Sequence, residues 1–281
     1  LLRSGLLVGQ VALTLVLLPG AGLFIRGLDE LSNRRAGWES RHLATGTILL
    51  PTAKYGDDAK VAAFHRLVLE RLGALPGVAS ASLASFTPFF NWDDIRKFVV
   101  EGRDRPEPGR EPAAVVNAVS PDYFATVGTR VLAGRVFGES DTLGAVRAYL
   151  VSESTARALF GTTDVVGRRL ASAEGDNPPW GEIVGVVGDV KSVMAEPLPV
   201  GNQVYVALAQ EPRRTTEIAV RTTGAAPAAE VDDIRHAMED IDPDLPVRDL
   251  RDADSRITRN NYQLRVLRDM LSAFAVLGLG L

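Results

Sequence analysis

No cysteine occurs among the 281 residues. That excludes a disulfide framework, a thiolate metal site and a cysteine nucleophile. It leaves the redox compartment open, because a domain large enough to bury a core needs no disulfide. Histidine is almost as scarce. His42, His65 and His236 lie far apart, and no zinc-ligand spacing can be built from them. Nor does either charge dominate: 31 Lys and Arg against 35 Asp and Glu give a net charge of -4. A surface that grips nucleic acid is basic, so no nucleic-acid partner is expected. The P-loop pattern, G-x-x-x-x-G-K followed by Ser or Thr, is missing. Gly185 to Asp189 (GVVGD) lacks the third glycine of a dinucleotide site and reads as strand and turn. No G-x-S-x-G surrounds Ser152 or Ser154. The expectation is a protein that is not an enzyme, with no catalytic residue, cofactor or metal.

What is there is unevenly spread. The mean hydropathy of +0.06 hides two apolar ends. Ser4 to Ile25 (SGLLVGQVALTLVLLPGAGLFI) carries no charge and is bracketed by Arg3 and Arg26. At about 1.5 Å per residue it spans roughly 33 Å, enough for a hydrocarbon core of about 30 Å. Pro19-Gly20 loosens the helix in a way membrane helices tolerate. The run is longer than the apolar part of a signal peptide. Residues 4–26 therefore read as a transmembrane helix. At the other end, Met270 to Leu281 (MLSAFAVLGLGL) is an uncharged run that reads as the first part of a second span. Asn261 to Asp269 leads into it, with Arg265 and Arg268 placed to reach the headgroups.

The segment between the runs shows mixed periods. Leu43 to Leu50 reads as a strand. Ala59 to Leu72 is an amphipathic helix with apolar residues at 61, 64, 68 and 72, and Val78 to Phe86 is a strand. Phe98 to Glu101 and Ala114 to Val119 read as strands around the polar loop 102–112, and Ser120-Pro121-Asp122 opens a short helix. From 132 to 190 the chain is rich in Gly and Val, with strands at Arg147 to Val151 and Glu182 to Val187 and a helical turn at Glu153 to Leu159. A second β-α-β unit follows: Glu217 to Arg221, Ala228 to Asp240 and Val247 to Leu250. The fold class is α+β, an α/β part holding a β-rich insert.

Polar clusters read as structure. Asp57-Asp58 is a helix cap, Asp93-Asp94 a solvated loop, and Glu239 to Asp244 a helix end without the calcium-loop pattern. His65 and His236 are expected at the surface or half-buried. The aromatics are a different matter. They make up 6 % of the chain, yet four fall in Phe86 to Trp92 (FTPFFNW). Such bulk either packs between subdomains or meets another protein. Phe86, Phe89, Phe90 and Trp92 are thus the candidate partner contacts.

Several segments resemble the extracytoplasmic domain of MacB-like, FtsX-like permeases of ABC transporters, and more narrowly the duplicated orphan permeases first described from acidobacteria. They are LPGVAS (75–80), SPDYFATVGTRVLAG (120–134), VSESTARALFGTTDVVGRRL (151–170), EIVGVVGDV (182–190), VYVALAQ (204–210) and IDPDLPVRDL (241–250). Tyr205-Val206-Ala207 lacks the proline often found after this tyrosine. The resemblance implies a porter-like subdomain in two parts, 38–128 and 201–258, around an inserted β-rich subdomain at 129–200. Transmembrane helix 4–26 would precede it, and a lead-in and truncated helix at 261–281 would follow. It also implies an inner-membrane permease with its large domain in the periplasm, where motion is driven by an ABC ATPase subunit on the cytoplasmic side. The output would be efflux, lipoprotein handling or mechanotransmission. The implied partners are that ATPase, a second permease unit or homodimer, and a periplasmic adaptor. The family supplies no catalytic residue to carry over. The alternative is the extracytoplasmic sensor domain of a two-span signalling receptor.

Overall fold

A computed structural model of the protein describes residues 37–88, 94–107, 109–175, 179–191, 202–224, 227–260 and 270. The expected helix at 4–26 lies outside the described residues, as does all of 261–281 except Met270. Among the described residues no helix is long and apolar enough to cross a membrane. Residues 36–256 form one compact unit; residues 1–35 and 257–281 form another.

The first unit opens with β1 (Leu43–Leu49), α1 (Asp58–Gly73) and β2 (Val78–Ala84), and closes with β10 (Thr215–Thr222), α4 (Pro227–Ile241), β11 (Arg248–Asp252) and the first half of α5 (Ala253–Asn260). The strands line up as β11-β1-β10-β2. β10 runs antiparallel between β1 and β2, so those two are parallel to each other. Each β-α-β connection skips a strand, which is the split β-α-β arrangement of ferredoxin-like folds. Sequence dictates α1 directly. The Asp57 carboxylate accepts from Lys60 N–H at 2.8 Å and starts the helix. Val61, Phe64, Val68 and Leu72 recur on one face and are buried, each stabilising by roughly 1.5–3 kcal/mol.

Between β2 and β10 the chain forms β3 (Ile95–Val100), β4 (Ala113–Val119), α2 (Tyr123–Val127), β5 (Val131–Gly134), β6 (Ala148–Ser152), α3 (Glu153–Phe160), β7 (Arg169–Ser172), β8 (Gly181–Val187) and β9 (Gln203–Ala207). Strands β4-β3-β7-β8-β6-β9 follow one another, and β9 returns to pair in parallel with β4. Six strands thus close a ring, which removes their open edges. The ring meets the β11-β1-β10-β2 strands through the pair Ala84↔Val119.

The two-residue period of the strands divides the core. Tyr149, Val151, Val204 and Val206 face one cluster, which also takes Ala156, Leu159 and Phe160 of α3. Their neighbours Ala148, Leu150, Tyr205 and Ala207 face another, closed by Tyr123, Phe124 and Val127 of α2. With both faces covered, β6 and β9 read as continuous apolar runs instead of alternating ones. Helix α3 starts at a Ser152 cap and ends at Gly161 with φ 76°, a left-handed conformation that glycine takes at little cost.

The observed elements differ from the expected ones mainly at short strands. β5, β7 and β9 were not signalled by alternation; β5 and β7 have four residues each, and β9 is buried on both faces. The strand expected over Val78 to Phe86 stops at Ala84. Strands β3 and β4 pair into the ring, although both precede the insert boundary expected at residue 129.

Candidate functional site

Of the four candidate contact residues, Phe89, Phe90 and Trp92 lie outside the described residues. Phe86 is described and is only 6 % exposed. Its carbonyl accepts from Asn117 Nδ2 at 3.0 Å, and its N–H donates to Asn117 Oδ1 at 3.4 Å. With Tyr123, Val190 and Tyr205 it lines a crevice beside β4 and β9. Phe86 therefore takes part in the packing between elements.

A site that sequence did not reveal sits where β1, β10, β11 and α5 meet. Arg256 is 1 % exposed and Glu217 2 %. The Arg256 guanidinium donates to Glu217 Oε2 at 2.5 Å and Oε1 at 3.3 Å, to Thr47 Oγ1 at 3.0 Å, to Thr45 Oγ1 at 3.4 Å and to Asp249 Oδ2 at 3.1 Å. Thr47 in turn donates to Glu217 Oε1 at 2.5 Å. One side chain thus ties the start of α5 to three strands. Burial raises the Glu217 carboxyl above its ordinary range, and the charge of Arg256 only partly opposes this. The guanidinium fork fits such a place because it spreads donors in a plane and stays charged when desolvated.

A second polar cluster lies at the start of β3. Arg96 bonds Asp94 through Nε (2.9 Å) and Nη2 (2.7 Å), and bonds Glu211 through Nη1 (3.0 Å) and Nη2. Arg213 joins the same two carboxylates, 2.9 Å from Asp94. Burial alone would lower the Arg96 pKa, but the two carboxylates outweigh it and hold it high. Burial alone would raise Glu211; the arginines bring it down. These charges satisfy one another, which suits a structural tie between β3 and the turn after β9. Among the described residues no group of three His, Cys, Asp or Glu is placed to hold a metal ion.

The sequence matches the family description "MacB-like periplasmic core domain" over residues 4–241. The chain belongs to that family. The MacB-like match covers most of the chain and stops short of β11 and α5. No curated protein matches the sequence at a significant level. Among solved structures, the periplasmic region of MacB from Actinobacillus actinomycetemcomitans is similar at 13 % identity and a TM-score of 0.48, over 75 % of this chain and 89 % of that one. The extracellular domain of the noncanonic ABC-type transporter YknZ from Gram-positive bacteria is similar at 17 % identity and a TM-score of 0.44, over 73 % of this chain and 100 % of that one.

Several polar residues of this MacB-like domain depart from the sequence reading. Asp57 caps α1 as expected. Asp94, expected in a solvated loop, is pinned by Arg96 and Arg213. Asp242, expected at an ordinary helix end, is 2 % exposed. It accepts from Lys54 Nζ at 2.8 Å and Tyr55 Oη at 2.7 Å, fastening the β1–α1 loop to the end of α4. His65, expected at the surface or half-buried, is 4 % exposed, with its ring edge-on to Phe64. Neither ring nitrogen has a hydrogen bond of good geometry. Burial pushes its pKa down to about 4, against a weaker upward pull from the Arg213 backbone. Ser152 is buried and caps α3, while Ser154 N–H donates to Asp189. No sequence pattern distinguishes these residues from surface ones, because their partners lie up to 188 positions away.

Proposed function

We propose that the chain is the first spanning helix, the extracytoplasmic domain and the start of the second spanning helix of an ABC-type transporter permease in a bacterial inner membrane. The domain performs no chemistry. It moves with the membrane helices that flank it, driven by ATP hydrolysis in a cytoplasmic ABC ATPase, and works beside a second permease unit and a periplasmic adaptor. Narrower kinship to the duplicated acidobacterial permeases belongs to the same proposal.

One observation supports the coupling role above the rest. Helix α5 runs to Asn260, and the chain then enters the apolar run Met270–Leu281. The largest side chain under 2 % exposed among the described residues, Arg256, is on this helix, and it grips three strands. Sliding α5 by one residue would strand Glu217 in a dry site without its counter-charge, a cost of several kcal/mol. A pull on α5 therefore moves the sheet instead of slipping past it. We also propose that the subdomains divide where strand pairing changes. The porter-like part is then β1, α1, β2 with β10, α4, β11, and the insert is the six-strand ring from about 94 to 208.

Phe89, Phe90 and Trp92 remain the proposed contact with a partner, now without Phe86. Replacing the three by Ala in the full-length protein is expected to abolish transport, or its stimulation of ATP turnover by the partner ATPase. The melting temperature should stay within about 3 °C of the parent, since one kcal/mol in a domain of this size moves it by about 2–4 °C. Melting lowered by more than 10 °C would instead place these aromatics in the core with Phe86.

A further inference from the structure

Among the described residues, strand β5 has a neighbour on one side only. It pairs with β8 and stands off the closed ring. All four of its residues are exposed, Val131 at 42 % and Leu132 at 45 %. Proteins ordinarily blunt an open edge with charge, proline or a bulge. Here the pairing with β8 shifts register between Val131 and Ala133, but no charge or proline interrupts 131–134. The apolar surface continues past the strand. Gly134 and Arg135 wall a cleft of about 490 Å³ whose apolar lining includes Val146, Val166 and Val184, with Arg147, Asp141 and Glu182 at its polar parts. Val146 is 71 % exposed and Val166 43 %.

The charges at the ends of the strand select what can cover it. Arg130 precedes β5 and Arg135 follows it. Arg130 is exposed and has no ion pair among the described residues. Arg135 reaches Asp141 at 2.6 Å, but half of its side chain stays in water. A second copy of β5, added antiparallel and centred on the strand, would set Arg130 against Arg135 at both ends. Like charges directly opposed across strands are destabilising. An extended segment with apolar residues at its centre and a carboxylate at each end would meet both arginines instead.

We propose that the open edge of β5, with the adjoining cleft, is a docking site for an acid-flanked, apolar extended segment of a different protein, added as a strand. In such strand addition main-chain hydrogen bonds supply affinity, and pockets for alternate side chains supply specificity. The cleft provides the pocket and begins where β5 ends. This inference goes beyond the coupling role and holds whether or not the domain transmits motion.

The test uses the full-length protein in the membranes of its own cells. Leu132→p-benzoylphenylalanine places a photo-crosslinker on the edge, and the same substitution at Leu67, 43 % exposed on α1, is the control. The expected result is an adduct at 132 alone. Mass spectrometry should map it to a segment of another protein with Asp or Glu on both sides of an apolar run. Adding Arg130→Glu should cut its yield about tenfold, Arg130→Lys should keep it, and reversing the facing carboxylate to Arg should restore it in the Arg130→Glu background. If Arg130→Glu lowers the melting temperature, Arg130→Gln is read instead, with at least a threefold loss required. An adduct between two copies of β5, a yield indifferent to the charge at 130, or no adduct above the Leu67 level each overturns the proposal.

Discussion

Arg256→Met tests the buried fork most severely. The substitution keeps much of the side-chain volume and removes the buried guanidinium that faces Glu217. Glu217 is 2 % exposed, so water cannot replace the lost guanidinium. Breaking a buried pair from one side typically costs about 3–5 kcal/mol. In a compact unit spanning residues 36–256, with about 2–4 °C per kcal/mol, that is a fall in melting temperature of roughly 6–20 °C. The defect has a pH signature. Glu217 already has a raised pKa in the folded protein, so its ionisation costs stability. That cost is absent below the unfolded carboxyl range and grows as pH rises through the folded value. Without Arg256 the folded pKa rises further, so the defect should be largest near pH 8 and shrink as pH falls toward 4.5. Glu217→Leu combined with Arg256→Met should recover most of the loss, because an apolar pair leaves no charge unmatched. Thermal melts of residues 36–260 across this pH range give all of these quantities. A loss below about 1 kcal/mol, or one that does not change with pH, would refute the reasoning.

Two further outcomes are expected. His65 is neutral and buried, with its pKa depressed to about 4. The folded domain therefore loses stability as pH falls from about 6.5 to 4, by up to roughly 3 kcal/mol from this residue at 1.36 kcal/mol per unit. His65→Leu should flatten that part of the stability profile relative to the parent, and an unchanged slope in chemical denaturation would count against it. Residues 36–260 alone should be soluble and cooperatively folded by size-exclusion chromatography and circular dichroism, since the compact unit carries its own core. An aggregated or non-cooperative product would argue against an independent domain.

How much could be read beforehand depended on range. The 3.6-residue repeat of Val61, Phe64, Val68 and Leu72 exposed α1, and the Asp57 cap fixed its start, because both are local patterns. β9 defeats the alternation rule because both of its faces are covered. β5 and β7 are too short to show any period. The ring itself depends on β4 meeting β9, whose paired residues lie 88 positions apart at Val115 and Gln203. Only the resemblance carried by segments such as SPDYFATVGTRVLAG pointed toward this fold. The candidate site was least legible. Arg256 and Thr47 are 209 positions apart, and a fragment such as DSRITRN reads as an ordinary polar helix. Phe86 shows a different limit: an aromatic cluster has the same sequence signature whether it packs inward or faces a partner.

The central claim is that ATP hydrolysis elsewhere moves this domain. Residues 1–281 contain no cysteine, so Lys60→Cys on the exposed face of α1 gives a single spin-label site within them once any cysteine elsewhere in the complex is replaced by Ser. The full-length protein, purified with its ABC ATPase and the second permease unit in a lipid nanodisc, is then examined by pulsed electron paramagnetic resonance. Distances are measured between this label and one on the second unit, without nucleotide and with ATP trapped. The account predicts two distinct distance distributions, and loss of the shift when Arg256→Met and Glu217→Leu are combined. One unchanged distribution in a complex that still turns over ATP would contradict it.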